Sequence, residues 1–448
     1  MEVSFEHKSN VERHEAHHRS ILWMHFVNVY LGAWLILNPA TFIYDNFAMV
    51  VNDVVCGTLI LIFSFLSFHP ARLWAPWAVA FTGMWLTVAP VIFWAPDAHS
   101  YNNDTLVGIL VMAFALVAPG QPGARLHEQQ GPDVPPGWGY NPSSWTQRLP
   151  IITLGWLGFF ASRYLASFQL GYIDSAWDPF FGKGTENVLN SELSKSWPVS
   201  DAGLGAFSYM LDAMMGYIGG ENRWRTMPWA VILFGILIIP LGAISITLII
   251  LQPLVVGSWC SVCLFTAVAM LIMIPCAFDE VLASVQFLAG SKKEGRPFWR
   301  VFWHGDTTYK ESIEFVPHDF TRSPRATLWE IFGDLKPPYN LMLCSVLGVW
   351  LMFSPSVFGY AGQPAHSDYI AGALVITFSV VAMGEIVRSL RFVNIVLGAW
   401  IGIAPYLLHN PDETGLYNAI ACGILIIVFS IRRGRIVHSY GGFNKYVV

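Results

Sequence analysis

The sequence predicts an all-α integral membrane protein with about twelve transmembrane helices. Three observations predict it. Of 448 residues, 54% are hydrophobic and 12% charged, against about 25% charged in a soluble domain. The mean hydropathy is +0.49, and the apolar residues gather into runs close to the ~20 that a helix needs to span a bilayer core. The 19 tryptophans and 31 phenylalanines suit aromatic belts at membrane interfaces. An ordinary soluble enzyme and a disordered chain are excluded. A net charge of −5 argues against a nucleic-acid partner. Six cysteines are too few for a disulfide-stapled secreted scaffold.

Residues 1–20 form a polar tail with His7, His14, His17 and His18. Their spacing is irregular and no cysteine is near, so no metal site is expected. No cleavable leader is expected, because its apolar core would come earlier. Apolar runs near 21–39, 47–68, 74–94 and 105–119 make an N-terminal unit, 21–120. A linker rich in Pro and Gly follows, 121–148. Runs near 149–172, 201–219, 228–256 and 259–279 make a central unit, 149–280. The 228–256 run contains Pro240 and Pro253 but no polar turn, so it reads as one kinked or overlong helix. A connecting segment, 281–338, is rich in aromatics and charges (Phe298, Trp299, Phe302, Trp303, His304, Asp306) and holds no Gly-rich phosphate loop. Runs near 341–358, 368–387, 392–408 and 414–431 make a C-terminal unit, 339–448.

Charge sets the orientation. With a cytosolic N-terminus, the inner loops hold Arg72, Arg125, Arg223, Arg225, Lys292, Lys293, Arg296, Arg388, Arg391, Arg432, Arg433 and Arg435. The outer side holds Lys183 and Lys195 in one long loop, 173–200. Both termini are then cytosolic. Charge inside a span is costly, which marks Asp53, Asp212 and Arg163. Asp53 reads as a helix cap or interface residue. Asp212 reads either as a proton-handling group or as a polar contact between helices.

An internal repeat organises both ends of the chain. Gly32-Ala33-Trp34-Leu35 leads to Pro39 and then Gly57; Gly83-Met84-Trp85-Leu86 leads to Pro90 and Gly108. Gly348-Val349-Trp350-Leu351 leads to Pro355 and Gly372; Gly398-Ala399-Trp400-Ile401 leads to Pro405 and Gly423. Each unit reads as a two-helix hairpin. The glycines let helices approach closely in lipid, the prolines end spans, and the tryptophans read as packing residues. These units resemble the bacterial SPW repeat family; Ser354-Pro355 keeps the Ser-Pro of its signature. That resemblance implies a four-helix membrane module at each end.

The central unit holds the redox motif Trp259-Cys260-Ser261-Val262-Cys263-Leu264. Two residues between cysteines at a helix start permit an intramolecular disulfide. The helix N-terminus stabilises a thiolate. In this orientation the pair lies at the outer face, where oxidising chemistry is permitted.

Residues 149–279 resemble the vitamin K epoxide reductase family, four-helix membrane thiol oxidoreductases. Three features carry the resemblance: the Cys260–Cys263 pair opening the fourth helix; Asn187-Val188-Leu189-Asn190-Ser191, with Ser191 on the family's Ser/Thr position; and Trp197-Pro198 through Gly205 with Tyr209. The resemblance implies a membrane quinone (ubiquinone, menaquinone or related) near Cys263, with Leu189, Asp201 and Tyr209 beside it. Cys263 would pass electrons to the quinone. Cys260 would exchange with a thioredoxin-like thiol protein on the outer face. Ser191, Cys260 and Cys263 would form the catalytic group. Together the resemblances imply the inner membrane of a bacterium.

One departure stands out. Most members carry two relay cysteines in the outer loop, and Gly171 to Ser200 contains none. By offset from Ser191, Thr185 occupies one of those positions and Trp177 the other. Cys56, Cys276, Cys344 and Cys422 fall inside predicted spans. Three readings follow. The first is a dithiol:quinone oxidoreductase served directly by a separate thiol protein. The second is a non-catalytic scaffold or accessory subunit of a larger membrane complex. The third, a transporter, rests on the repeats and Asp212.

Overall fold

The computed structural model describes residues 2–42, 46–117, 131–307, 337–408 and 413–447. The His7, His14, His17 and His18 side chains, Arg125 and residues 308–336 lie outside the described residues. Twelve of the described helices run for 15 residues or more: α1 Glu2–Thr41, α2 Phe47–Ser67, α3 Ala75–Ile92, α4 Ala98–Val117, α5 Trp145–Gln169, α6 Asp201–Tyr217, α7 Pro228–Leu251, α8 Ser261–Lys293, α9 Tyr339–Phe358, α10 Gln363–Val381, α11 Val393–Leu407 and α12 Glu413–Ile431. Among the described residues, 9 helices are long and apolar enough to cross a membrane. The other three are α4, α6 and α10. The first turns of α4 and α10 carry His, Ser, Asn or Asp, and α6 has 17 residues and opens on Asp201.

Helices α1 and α8 run well beyond their expected boundaries: α1 begins at Glu2, within the segment read as a tail, and α8 continues past 279. The eighth runs 14 residues past 279, to Lys293. Ala283, Ser284, Phe287, Leu288 and Ser291 are buried along that extension, at the spacing of one helix face. The seventh is one overlong helix, as its unbroken apolar pattern requires. It passes into a π-helical turn, Gln252–Val256, because Pro253 has no N–H to continue the α-helical ladder.

The repeats explain their own residue choices. In the N-terminal unit α1 packs on α2 and α4, and α3 on α2 and α4; in the C-terminal unit α9 packs on α10 and α12, and α11 on α10 and α12. Within each hairpin two repeat glycines face each other: Gly32 with Gly57, Gly83 with Gly108, Gly348 with Gly372, and Gly398 with Gly423. A Cβ at any of the eight would lie 2.5–2.8 Å from the facing carbonyl oxygen. The tryptophans then tie hairpin to hairpin reciprocally. The indole N–H of Trp34 donates to Asn103 at 2.8 Å and that of Trp85 to Asn52 at 2.8 Å. Trp350 donates to Asn418 at 2.7 Å and Trp400 to Ser367 at 3.0 Å. Each acceptor stands five residues before the second glycine of its own repeat.

In the central unit α5 packs on α6 and α8, and α7 on α8. The N-terminal unit meets it through α3 on α6, the C-terminal unit through α10 on α7 and α8. Farther along α8, away from the cysteines, Arg223 pairs with Glu280 at 2.5 Å, both buried. Ser143 also donates to Glu280, at 2.5 Å. Arg223, Arg388 and Arg391 are therefore buried anchors rather than solvated loop cations. Asp53 is not a cap: Asn46 caps α2, and Asp53 is fully buried with Asn38 donating to it at 3.5 Å. Asp212 is buried in α6.

Candidate functional site

The site begins where α7 ends. The π turn exposes the carbonyl of Gln252, which accepts the N–H of Gly257 at 2.9 Å. Gly257 adopts φ +68°, a left-handed conformation that ends the helix. The chain then enters the cysteine turn. Cys260 is the N-cap of α8 and Cys263 lies one turn further in. The two are joined by a disulfide, with Cα atoms 5.3 Å apart.

Cys260 is 0% exposed, because the 171–200 segment lies over it as a lid. Asp178 latches the lid. Its Oδ2 accepts the Thr185 N–H at 3.0 Å, the Thr185 hydroxyl at 2.7 Å and the Ser261 N–H at 3.2 Å. Its Oδ1 accepts the N–H groups of Phe180 at 3.1 Å and Phe181 at 2.8 Å, and the Ser261 hydroxyl. The carboxylate thus joins three lid positions to the first turn of α8. The Thr185 hydroxyl reaches the Cys260 sulfur at 3.5 Å. Gly184 allows the contact: a Cβ there would lie 1.9 Å from the Trp259 carbonyl oxygen. Trp177 is 69% exposed. Of the two loop positions matched to relay cysteines, Thr185 therefore reaches Cys260.

Burial opposes ionisation of Asp178, but hydrogen bonds from Ser261, Phe181 and Thr185 outweigh it and hold the carboxyl below the usual carboxylate range. A depressed value stabilises the closed lid above the unfolded carboxylate value of ~3.9, and that contribution is lost as pH falls through the folded value. Asp178→Asn should therefore lower the thermal midpoint at neutral pH, and the gap to wild type should narrow below about pH 4. A gap that stays constant with pH would show that the charge is not what latches the lid.

On the inner side of the lid a cavity of about 330 Å³ lies between α6, α7 and α8. It brings together Cys263, Ser191, Leu189, Asp201 and Tyr209; Cys260 does not line it. The two sulfurs therefore face different compartments, one the cavity and one the lid.

The polar groups of the cavity are largely engaged. The Tyr209 hydroxyl donates to the Thr266 carbonyl at 2.5 Å. Asp201 Oδ1 accepts from Gln169, from Ser194 at 3.0 Å and from the Ala202 N–H at 2.9 Å. The Ser191 hydroxyl donates to the Val188 carbonyl at 2.6 Å, and its oxygen caps the 192–195 turn through the Ser194 N–H at 3.3 Å. Leu189 packs with Leu165 and Val188 against Cys260.

Sequence reasoning missed Asp178, Gly184 and Gln252. Gln252 lines the cavity and its Oε1 accepts the Cys260 N–H at 3.0 Å. The signal was present: a glutamine in an otherwise apolar run, directly before Pro253.

Both repeat units brace this end of the site. From the N-terminal unit, the Ala95 carbonyl accepts the Tyr172 hydroxyl at 2.6 Å, and the Trp94 indole donates to the Pro198 carbonyl at 3.4 Å. These contacts hold the two ends of the lid. From the C-terminal unit, Phe353 stacks on Phe181 of the lid at 6.0 Å and packs on Trp259 at 5.4 Å.

The comparisons with known proteins agree with this geometry. The model of the vitamin K epoxide reductase family matches residues 149–278, and that of the SPW repeat domain matches 22–118 and 340–433. No curated protein and no solved structure matches the chain significantly. The chain carries a vitamin K epoxide reductase family domain at its centre, with an SPW repeat domain on either side of it.

Proposed function

We propose that the protein is a membrane thiol oxidoreductase that takes electrons from a dithiol protein and delivers them to a membrane quinone. The observation that carries this reading is the division of the disulfide, with Cys263 on the cavity and Cys260 under the lid. The cavity fits a quinone head: Leu165, Leu241, Ile244, Leu248 and Met270 supply apolar walls, and the Gln252 carboxamide supplies a polar end. A bound quinone supplies a two-electron, two-proton acceptor.

The chain's own residues do the rest. The lid lifts and a partner thiolate attacks the Cys260 sulfur. The Cys260–Cys263 bond breaks and Cys263 leaves as a thiolate, favoured by the N-terminus of α8. The partner's second thiolate attacks its own sulfur in the mixed disulfide and releases Cys260. Oxidation of the pair returns the disulfide and gives up two electrons and two protons. The missing loop cysteines leave this exchange to a separate thioredoxin-like protein at the outer face.

In this reading the twelve long helices all span the inner membrane of a bacterium as three four-helix bundles. Both termini are cytosolic and the cysteine pair is outside. The SPW units act as clamps on the lid, through Tyr172, Trp94 and Phe353.

A second reading, a redox-silent scaffold or accessory subunit, draws on the sealed Cys260 and the cysteine-free lid. One measurement separates the two: the redox state of the pair by acid-quench alkylation and mass spectrometry of native membranes. The oxidoreductase reading expects dithiothreitol to reduce the pair and a short-chain ubiquinone to reoxidise it. A disulfide that neither reagent changes would establish the scaffold.

A further inference from the structure

We infer that Gln252 is the hydrogen-bond donor to the quinone carbonyl, and that it links that contact directly to the cysteine turn. This deepens the quinone reading and rests on it. The motif residues are poor candidates for the task. Tyr209 spends its one O–H on the Thr266 carbonyl, and Asp201 is engaged as an acceptor. The hydroxyls of Ser191, Ser208 and Thr266 donate to the carbonyls of Val188, Leu204 and Cys263.

Gln252 differs in each respect. It is 3% exposed yet lines the cavity beside Cys263. The Cys260 N–H needs an acceptor, and the Gln252 carboxamide oxygen supplies it at 3.0 Å. That contact dictates which way the amide lies. The Nε2 group, with two N–H donors, then makes no hydrogen bond to another described residue and stays open to the cavity that Gln252 lines. A donor that faces the cavity with no protein acceptor is available to a ligand, and a carbonyl oxygen entering the cavity satisfies it. Charge that develops on that oxygen during reduction is stabilised by a donor already fixed in place. The position follows from the π turn, which seats Gln252 immediately before Pro253 and across from the cysteines.

The same carboxamide therefore holds the backbone of Cys260 with one end and the acceptor with the other. As the dithiol forms its S–S bond it gives up two electrons and two protons, which a bound quinone would take up. Gln252 binds and polarises; it is neither oxidised nor reduced.

The test uses the full-length protein in proteoliposomes, with a short-chain ubiquinone as oxidant. Gln252→Glu keeps the acceptor for the Cys260 N–H, but donates to a carbonyl only when protonated. The ratio of variant to wild-type reoxidation rate should fall at least about tenfold between about pH 6 and about pH 9. Disulfide reduction by dithiothreitol should keep a constant ratio over that range. Gln252→Met should be slow at every pH, and the infrared carbonyl stretch of bound, carbonyl-labelled quinone should rise toward its free value. A Gln252→Glu profile that tracks wild type overturns the assignment, whatever Gln252→Met does. If wild-type protein is reduced by dithiothreitol but not reoxidised by quinone, the quinone reading itself fails and takes this one with it.

Discussion

Cys263→Ser is expected to abolish quinone-coupled turnover, by at least about 10³-fold, or about 4 kcal/mol of barrier. Serine cannot close the disulfide, so no electron pair can be stored and handed on. The structure adds an asymmetry to this expectation. Cys263 lines the cavity, whereas Cys260 lies under the lid. In Cys263→Ser the Cys260 thiolate is kept, so it should attack the disulfide of an oxidised partner and hold one of its sulfurs as a mixed disulfide, the partner's other sulfur leaving as a thiolate. In Cys260→Ser no such adduct should form. Cys276 is the control. It stands 13 residues along the same helix from Cys263, about 20 Å away at 1.5 Å per residue, and Cys276→Ser should turn over normally. Steady-state quinone reduction, with non-reducing electrophoresis of the adduct, reads all three. Undiminished turnover in Cys263→Ser would remove the oxidoreductase reading.

The second large effect concerns the lid. Gly184→Ala places a Cβ 1.9 Å from the carbonyl oxygen of Trp259. No rotamer change relieves that overlap, because the atom struck is backbone. The lid must rise or the cysteine turn must move. Overpacking of this kind costs on the order of 1–3 kcal/mol, and about 1.4 kcal/mol is tenfold in an equilibrium. After reduction with dithiothreitol, Cys260 should therefore react with a maleimide about fivefold to a hundredfold faster than in wild type. Gly290→Ala, with open space around its Cβ, should leave the rate unchanged. Equal rates in Gly184→Ala and wild type would mean that the lid does not control access to Cys260. Asp178 and Gly184 thus act on one event from two sides. One latches the lid by charge and the other allows it to seat.

Much of the fold was legible because its signals are local. Nine of the twelve long described helices carry a run long and apolar enough to cross a membrane, and such a run in lipid must satisfy its backbone within itself. The Gly-x-Trp repeat was legible as a hairpin with close glycines, and the facing pairs Gly32–Gly57 and Gly398–Gly423 show that packing directly. The cysteine pair at a helix start was legible too; that Cys260 is its N-cap was not. Of the two readings of Asp53 the cap fails, since a charged residue near a helix end resembles a cap until the neighbouring helices show it buried.

The rest of the site is made by contacts between residues remote in sequence. Thr185 meets Cys260 across 75 residues. Asp178 reaches Ser261 across 83. Phe353 comes from the other repeat unit to pack on Phe181 and Trp259. Hydropathy and motif spacing say which segments are helices and which residues carry sulfur. They do not say which face each helix turns to its neighbours, because that depends on how ridges, glycines and side-chain volumes fit across the interface. The partition of the two sulfurs between lid and cavity, and the free end of the Gln252 carboxamide, are consequences of that fit. They exist only once α6, α7 and α8 are packed and the lid is closed over them.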